Sequence, residues 1–389
     1  MRRILTAGTL LVLGLLLAGS PGPAGVARAQ ELTPEQKLGK RLFFDTSLST
    51  PPGQSCASCH ARKAGFTSPD EEVNAAGAVL PGATGDLFGP RKTPSVAYAF
   101  LSKPLAFKPV PQVFTGGQFW DGRVDTLVQQ AKRPLLSPLE MNNRDARAVV
   151  QKVANAPYAA LFRKVYGPGS LDPNVPDPAF DRVAQALAAY ESSAEVNPFS
   201  SKYDAFLAGE AQLDDRETRG LALFEGRAKC TDCHSNPIGT PIGTPPQFTR
   251  FGYHNLGVPK NPLNPFYEMP PVVNPAGMDF VDLGLGAWFQ DPAFPSQAGK
   301  VKTPTLRNVD RRPGEGFVKA YMHNGAFKSL EEVVHFYNAR DLGDFPPAEV
   351  PGATVQVGNV GNLGLSDAEE ADLVAFLRTL TDGEWERRP

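Results

Sequence analysis

The sequence predicts a mainly α fold made of two related halves with long ordered loops between the helices. Three observations carry that prediction. A helix start and then a C-x-x-C-H motif occur once in each half. Gly and Pro number 37 and 38 among 389 residues, too many for a tight bundle. No run reads as a series of parallel strands.

The motifs are Cys56-Ala57-Ser58-Cys59-His60 and Cys230-Thr231-Asp232-Cys233-His234, the attachment signature of a c-type haem. Two thiols three positions apart on a tight turn can each bond one vinyl group of the same porphyrin. The following imidazole then sits under the ring and can take an axial position on the iron. The alternative is a redox disulfide or half a zinc site, each followed by a chance histidine. Against it, all four cysteines lie in the two motifs and histidine is rare, at five. A thioredoxin-like motif also needs no histidine. Two covalent haem c groups are therefore expected, with Cys56, Cys59, Cys230 and Cys233 holding them and His60 and His234 on the irons.

In chain order, Arg2-Arg3 precede an apolar run from Ile4 to Ala18, and Ala27-Arg28-Ala29 forms an A-x-A cleavage site before Gln30. Residues 1–29 read as a signal peptide cleaved after Ala29, leaving no membrane span in a periplasmic mature chain. Thr33-Pro34-Glu35-Gln36 reads as a capping box with proline at the first helical position, and Leu38 and Leu42 recur at helical spacing. The pattern returns at Asp214 and Glu217, where Gly220, Leu223 and Phe224 repeat Gly39, Leu42 and Phe43. The simplest account is two cytochrome c-like haem domains related by internal duplication, residues 30–195 and 196–389. The boundary falls near 192–202, after a helical stretch Phe180–Glu191.

Residues 74–115 and 235–300 show no sustained periodicity and read as loops around haem edges or as surface insertions. Ser329 caps a helix on which Leu330, Val333, Val334 and Tyr337 share one apolar face, with Glu332 at the capping-box position. His335 points away from that face. Ser366 and Glu369 cap the last helix, which carries Leu373, Phe376, Leu377 and Leu380 on one side. Apolar and charged residues make up 41% and 21% of the chain, ordinary for a soluble protein. The balance of 39 basic and 41 acidic residues offers nothing to nucleic acid.

Two haems allow an electron carrier with both irons capped, or an enzyme with one iron open to an oxidant. No histidine lies between His60 and His234 to cap the first iron locally, which favours the enzyme.

Several motifs in order resemble the bacterial di-haem cytochrome c peroxidase and MauG family through nearly the whole mature chain. They are Leu38-Gly39-Lys40-Arg41-Leu42-Phe43-Phe44-Asp45, Gly65-Phe66-Thr67, Phe119-Trp120-Asp121-Gly122-Arg123, Pro134-Leu135-Leu136-Ser137-Pro138-Leu139-Glu140-Met141, Thr303-Pro304-Thr305-Leu306-Arg307-Asn308 and Tyr321-Met322-His323-Asn324-Gly325. The resemblance implies that the first haem meets hydrogen peroxide and the second stores and relays electrons. It places the distal pocket at Gln130, Pro134 and Glu140, where a carboxyl can take and return a proton while an amide orients the peroxide. Taken alone, Glu140 could instead favour the start of a helix near Asn142-Asn143. Trp120 would lie between the haems and carry an electron, or be a core aromatic with its N–H satisfied. His323 reads as a structural histidine near the domain interface.

The departures from the family pattern also carry information. Reductively activated members have a histidine after the first motif that blocks the peroxide haem, and none stands here. Where the peroxidases have a methionine on the second iron, this chain has Tyr337, as the MauG branch does. Met322 and His335 are weaker alternatives. A phenolate favours oxidised iron, whereas a thioether raises the potential. The family's interdomain calcium uses an asparagine where Lys92 stands, and an ammonium repels a cation. Carbonyls of Val318 and Ala320 could still contribute, but calcium is doubtful. MauG has a tryptophan before its second motif, and here Arg227-Ala228-Lys229 stands there. The expected function is therefore a periplasmic di-haem peroxidase with electrons from a small redox protein, a cytochrome c or cupredoxin. The alternatives are a MauG-like oxidase of aromatic residues in a partner protein and a non-enzymatic electron carrier.

Overall fold

Most of the longer helices in this protein start at a side chain that can cap them. A computed structural model describes residues 31–237 and 239–383, so the expected signal peptide and its cleavage site at Ala29 lie outside the described residues. Thr33 caps α1 (Pro34–Phe43) through a reciprocal pair with Gln36 at 3.2 and 3.0 Å. The first motif forms α2 (Cys56–Cys59), and a short α3 (Glu71–Ala75) follows. A hairpin of β1 (Ala106–Pro109) and β2 (Gln112–Thr115) precedes α4 (Leu127–Leu136), α5 (Ala146–Asn155) and α6 (Ala159–Tyr166). The long α7 (Pro176–Glu191) starts four residues before the expected Phe180, because Pro176 sits at the first helical position.

The second half opens with α8 (Lys202–Leu207) and α9 (Asp215–Glu225), the latter capped by Asp214 and Glu217 as expected. β3 (Tyr253–His254) pairs antiparallel with β4 (Val301–Lys302) across the long loop. α10 (Leu330–Ala339) is capped by Ser329, but the Glu332 carboxylate accepts from the Lys328 amide at 2.6 Å rather than closing the box on Ser329. Ser366 and Glu369 box α11 (Asp367–Arg378). These two short antiparallel pairs are the only sheets among the described residues, and the fold is mainly α.

Two large apolar cores form among the described residues, with a small third cluster at Phe114, Tyr253 and Leu285. The first holds Leu38, Leu42, Phe43, Val150, Phe162, Val183 and Leu187 and ends at Val196. The second begins at Tyr203 and holds Phe224, Phe248, Leu330, Phe336, Leu373 and Phe376.

Each core is built on the same helix crossing. In the first, α1 lies on α7 so closely that a Cβ on Gly39 would meet the Ala186 carbonyl oxygen at 1.8 Å and the Tyr190 Cβ at 2.8 Å. In the second, α9 lies on α11, and a Cβ on Gly220 would meet the Asp372 oxygen at 2.0 Å and the Phe376 Cβ at 2.8 Å. Phe43 then packs on Tyr190 at 5.3 Å, and Phe224 on Phe376 at 5.1 Å, ring centre to ring centre.

Gly39→Ala and Gly220→Ala should each lower the unfolding midpoint. Overpacking costs about 1–3 kcal/mol, more than the roughly 0.5–1 kcal/mol alanine returns to a helix. Chemical denaturation of both variants checks this against Gly169→Ala, whose added Cβ meets nothing within 4 Å. Midpoints equal to the control would mean that the crossings part easily.

Candidate functional site

Each C-x-x-C-H motif opens onto a cavity, and the histidine in it is held by the backbone. His60 Nδ1 lies 3.1 Å from the Phe66 carbonyl oxygen, and His234 Nδ1 lies 2.9 Å from that of Phe248. A carbonyl can only accept, so Nδ1 carries the proton in both rings and Nε2 keeps its lone pair. Both phenylalanines take left-handed backbone angles, with φ of 58° and 51°. Burial lowers the pKa of each imidazole to about 4, which keeps it neutral and able to bind a metal.

The four thiols are free, and burial pushes all of them up, Cys233 to about 11. A redox dithiol needs the opposite shift. No cluster of three or more His, Cys, Asp or Glu that could hold a metal occurs among the described residues. Paired thiols beside a cavity that also holds a neutral imidazole are what a covalently attached haem requires.

The first cavity gathers the expected distal residues. Gln130, Pro134, Glu140 and Trp120 line it together with Cys56, Cys59 and His60, its only histidine. Gln130 and Pro134 are one turn apart on α4 and so share a face. Proline has no N–H for the Gln130 carbonyl, and α4 ends two residues later. Glu140 lies in the turn before α5, its amide bonded to the Ser137 carbonyl at 3.1 Å. It borders both the cavity and an outer cleft, which also share Arg123 and Ser137. The surrounding protein raises the pKa of its carboxyl, against Ser137 and Arg123, which lower it.

Sequence reasoning missed Glu191, at the end of α7. It is 4% exposed, lines the same cavity, and its Oε2 has no hydrogen-bond partner. Burial alone raises its pKa to about 8. The signal was a carboxylate inside an otherwise apolar helix face.

The second cavity is lined by Cys230, Cys233, His234 and Tyr337, with Val333 and Val334 from the same face of α10. Burial pushes the Tyr337 hydroxyl above its ordinary value, so a phenolate there needs a cation beside it. Met322 also lines this cavity. His335 turns outward to Glu370 at 3.1 Å.

Trp120 borders both cavities, and its indole N–H donates to the Lys92 carbonyl at 2.9 Å. His323 is buried beside it, its Nε2 3.9 Å from Asp282 and its Nδ1 without a partner. The place of the family's calcium does not suit a divalent cation. Lys92 is buried there, and the Val318 carbonyl already accepts from Asn74 at 3.1 Å. Arg227 pairs with Glu369, and Lys229 donates to the Gly358 carbonyl at 2.6 Å.

The profile of the di-haem cytochrome c peroxidase family matches residues 33–212. The methylamine utilization protein MauG of Paracoccus denitrificans is 38% identical, over 90% of this chain and 89% of its own. The cytochrome-c peroxidase IdrP2 of Denitromonas iodatirespirans is 30% identical, over 98% of this chain and 92% of its own. The crystal structure of the diheme peroxidase BthA from Burkholderia thailandensis superposes with a TM-score of 0.76 at 32% identity, covering 91% of this chain and 90% of that one.

Glu191 makes stability depend on pH with a defined sign. A carboxyl whose folded pKa lies near 8, above its ordinary 4.5, stabilises the fold most while protonated. That contribution falls as pH rises through the window between those values. The melting temperature of Glu191→Gln minus that of the wild type should therefore rise across it, and a flat difference would place a proton-sharing partner on Glu191.

Proposed function

Because the chain belongs to the di-haem cytochrome c peroxidase family, we propose that it is a periplasmic peroxidase that takes electrons from a small redox protein, a cytochrome c or cupredoxin. The reaction is H2O2 + 2 e⁻ + 2 H⁺ → 2 H2O. Two c-type haems supply the redox chemistry of this family, one meeting peroxide and one relaying electrons. Among the described residues no helix is long and apolar enough to cross a membrane.

The observation that carries this reading is a correspondence between α4 and α10. Each follows a turn with a left-handed residue, Phe119 at φ 64° or Met322 at φ 63°, and a left-handed glycine, Gly122 or Gly325. Each turn closes a bridge, Gln118 to Val124 or Tyr321 to Phe327, and leads to a capping Thr126 or Ser329. Counting from the caps, Gln130 matches Val333 and Pro134 matches Tyr337. The first half thus carries a proline, which has no ligating atom, where the second carries a phenol. Together with the repeated Gly39 and Gly220 crossings, this supports internal duplication into haem domains 30–195 and 196–389.

In this reading His60 and His234 would hold the two irons, Tyr337 would add a further ligand in the second cavity, and Gln130 would orient the peroxide in the first. Glu140 takes a proton from the near oxygen and returns it to the leaving one, and its raised pKa suits it to hold that proton. Trp120, bordering both cavities, carries electrons between them.

A MauG-like oxidation of aromatic residues in a partner protein is the second reading, favoured by Tyr337 in the second cavity. The basic, engaged Arg227 and Lys229 weigh against it. Membership of an enzyme family sets the electron-carrier alternative aside. Turnover with reduced cytochrome c separates the two enzymatic readings.

EPR of the diferric protein should show one high-spin and one low-spin haem. Pro134→Tyr should make the first low-spin and block its reaction with peroxide, and Tyr337→Phe should make the second high-spin. Two low-spin haems in the wild type would overturn the open first site. Glu140→Gln should slow the peroxide step by about 10²–10⁴-fold, the usual worth of a positioned proton-transfer group. Stopped-flow mixing with peroxide checks this, and a wild-type rate would remove Glu140 from the chemistry.

A further inference from the structure

Outside the first cavity lies a cleft of about 830 Å³, lined by Arg123, Gln129, Lys132, Arg133 and Trp288. That volume suits a small molecule rather than the face of a protein. The Trp288 indole is 44% exposed, and single exposed apolar residues are common. What distinguishes this one is where its N–H points.

Trp288 Nε1 donates to the Asp121 carbonyl at 3.0 Å. Asp121 is joined by its peptide bond to Trp120, which borders both cavities. The Asp121 carboxylate is fixed by Arg91 at 2.7 Å and Arg123 at 2.8 Å. One hydrogen bond and a short length of backbone therefore connect an indole at the surface to the indole between the cavities. The cleft also carries charge. The lining holds the acids Asp125 and Glu140 against the cations Arg123, Lys132 and Arg133; Lys132 pairs with Asp181 and Arg123 with Asp121, whereas Arg133 has no ion-pair partner among the described residues. A free guanidinium beside an indole suits an anionic aromatic molecule, by charge and by stacking.

We propose that Trp288 is a surface electron port, at which small, anionic, electron-rich aromatic reductants bound in the cleft pass single electrons inward. The proposal rests on the peroxidase reading above, with peroxide as oxidant. Each donor loses one electron and becomes a radical, and two donors are oxidised per peroxide. The electron fills a vacancy on Trp288 left by transfer toward Trp120. The two protons of the reaction come from solvent, and the indole proton stays on nitrogen because the Asp121 carbonyl is too weak a base to take it.

The test uses the full di-haem protein and the ABTS dianion, an anionic aromatic one-electron donor, beside reduced cytochrome c. Trp288→Phe should lower kcat/KM for ABTS relative to that for cytochrome c by about tenfold or more, a barrier of about 1.4 kcal/mol. Arg133→Glu should raise the KM for ABTS about tenfold with kcat little changed. With peroxide and no donor, mass spectrometry of the wild type should find oxygenation at Trp288, suppressed when ABTS is added. An unchanged ratio in Trp288→Phe, or equal losses with both donors, overturns the port. A wild type that consumes no peroxide overturns the peroxidase reading and the port with it, whereas consumption with an unchanged Trp288→Phe overturns the port alone.

Discussion

Two reciprocal hydrogen bonds join the halves where the two cavities meet. The Lys92 amide of the first half donates to the His323 carbonyl of the second at 2.9 Å, and the Lys302 amide of the second donates to the Trp120 carbonyl of the first at 2.8 Å. Both lysines open a Lys-Thr-Pro segment, and both acceptors follow a left-handed turn residue. Trp120 and His323 are thus carried to the middle by the same device used twice. Four buried backbone groups depend on one another here, so neither half can turn without leaving polar groups unpaired in the interior.

Within that frame the halves differ where chemistry needs them to. One carries Gln130, Pro134 and two carboxyl groups, Glu140 and Glu191, in its cavity, and the other carries Val333 and Tyr337. The same helix position offers no ligand on one side and a phenol on the other. The two halves share a scaffold, and a few side chains set their cavities apart. Lys92 adds a buried cation beside Trp120, its ammonium 5.9 Å from the ring centre, where related proteins are expected to place calcium.

Much of this was legible in the chain because short-range chemistry decides it. The two C-x-x-C-H motifs name their cofactor, and Thr33, Asp214, Ser329 and Ser366 cap helices within three residues of themselves. Tyr337 was placed on a buried face by phase alone. What escaped was decided at long range. α4 carries Pro134 in its interior, and an interior proline argues against a helix. Glu191 interrupts an apolar helix face, but only the folded core strips it of water. Trp288 sits in a loop without periodicity, and its link to Asp121 spans 167 residues of chain.

The half-buried thiols also bear on how the protein is made. In the closed fold each cysteine of both motifs lines a cavity and is held protonated, a poor nucleophile. Thioether formation needs exposed, reactive sulfur and room for a porphyrin to approach. Attachment is therefore favoured while the crossings of α1 on α7 and of α9 on α11 are still open, and early sealing of the fold would slow the loading of the chain.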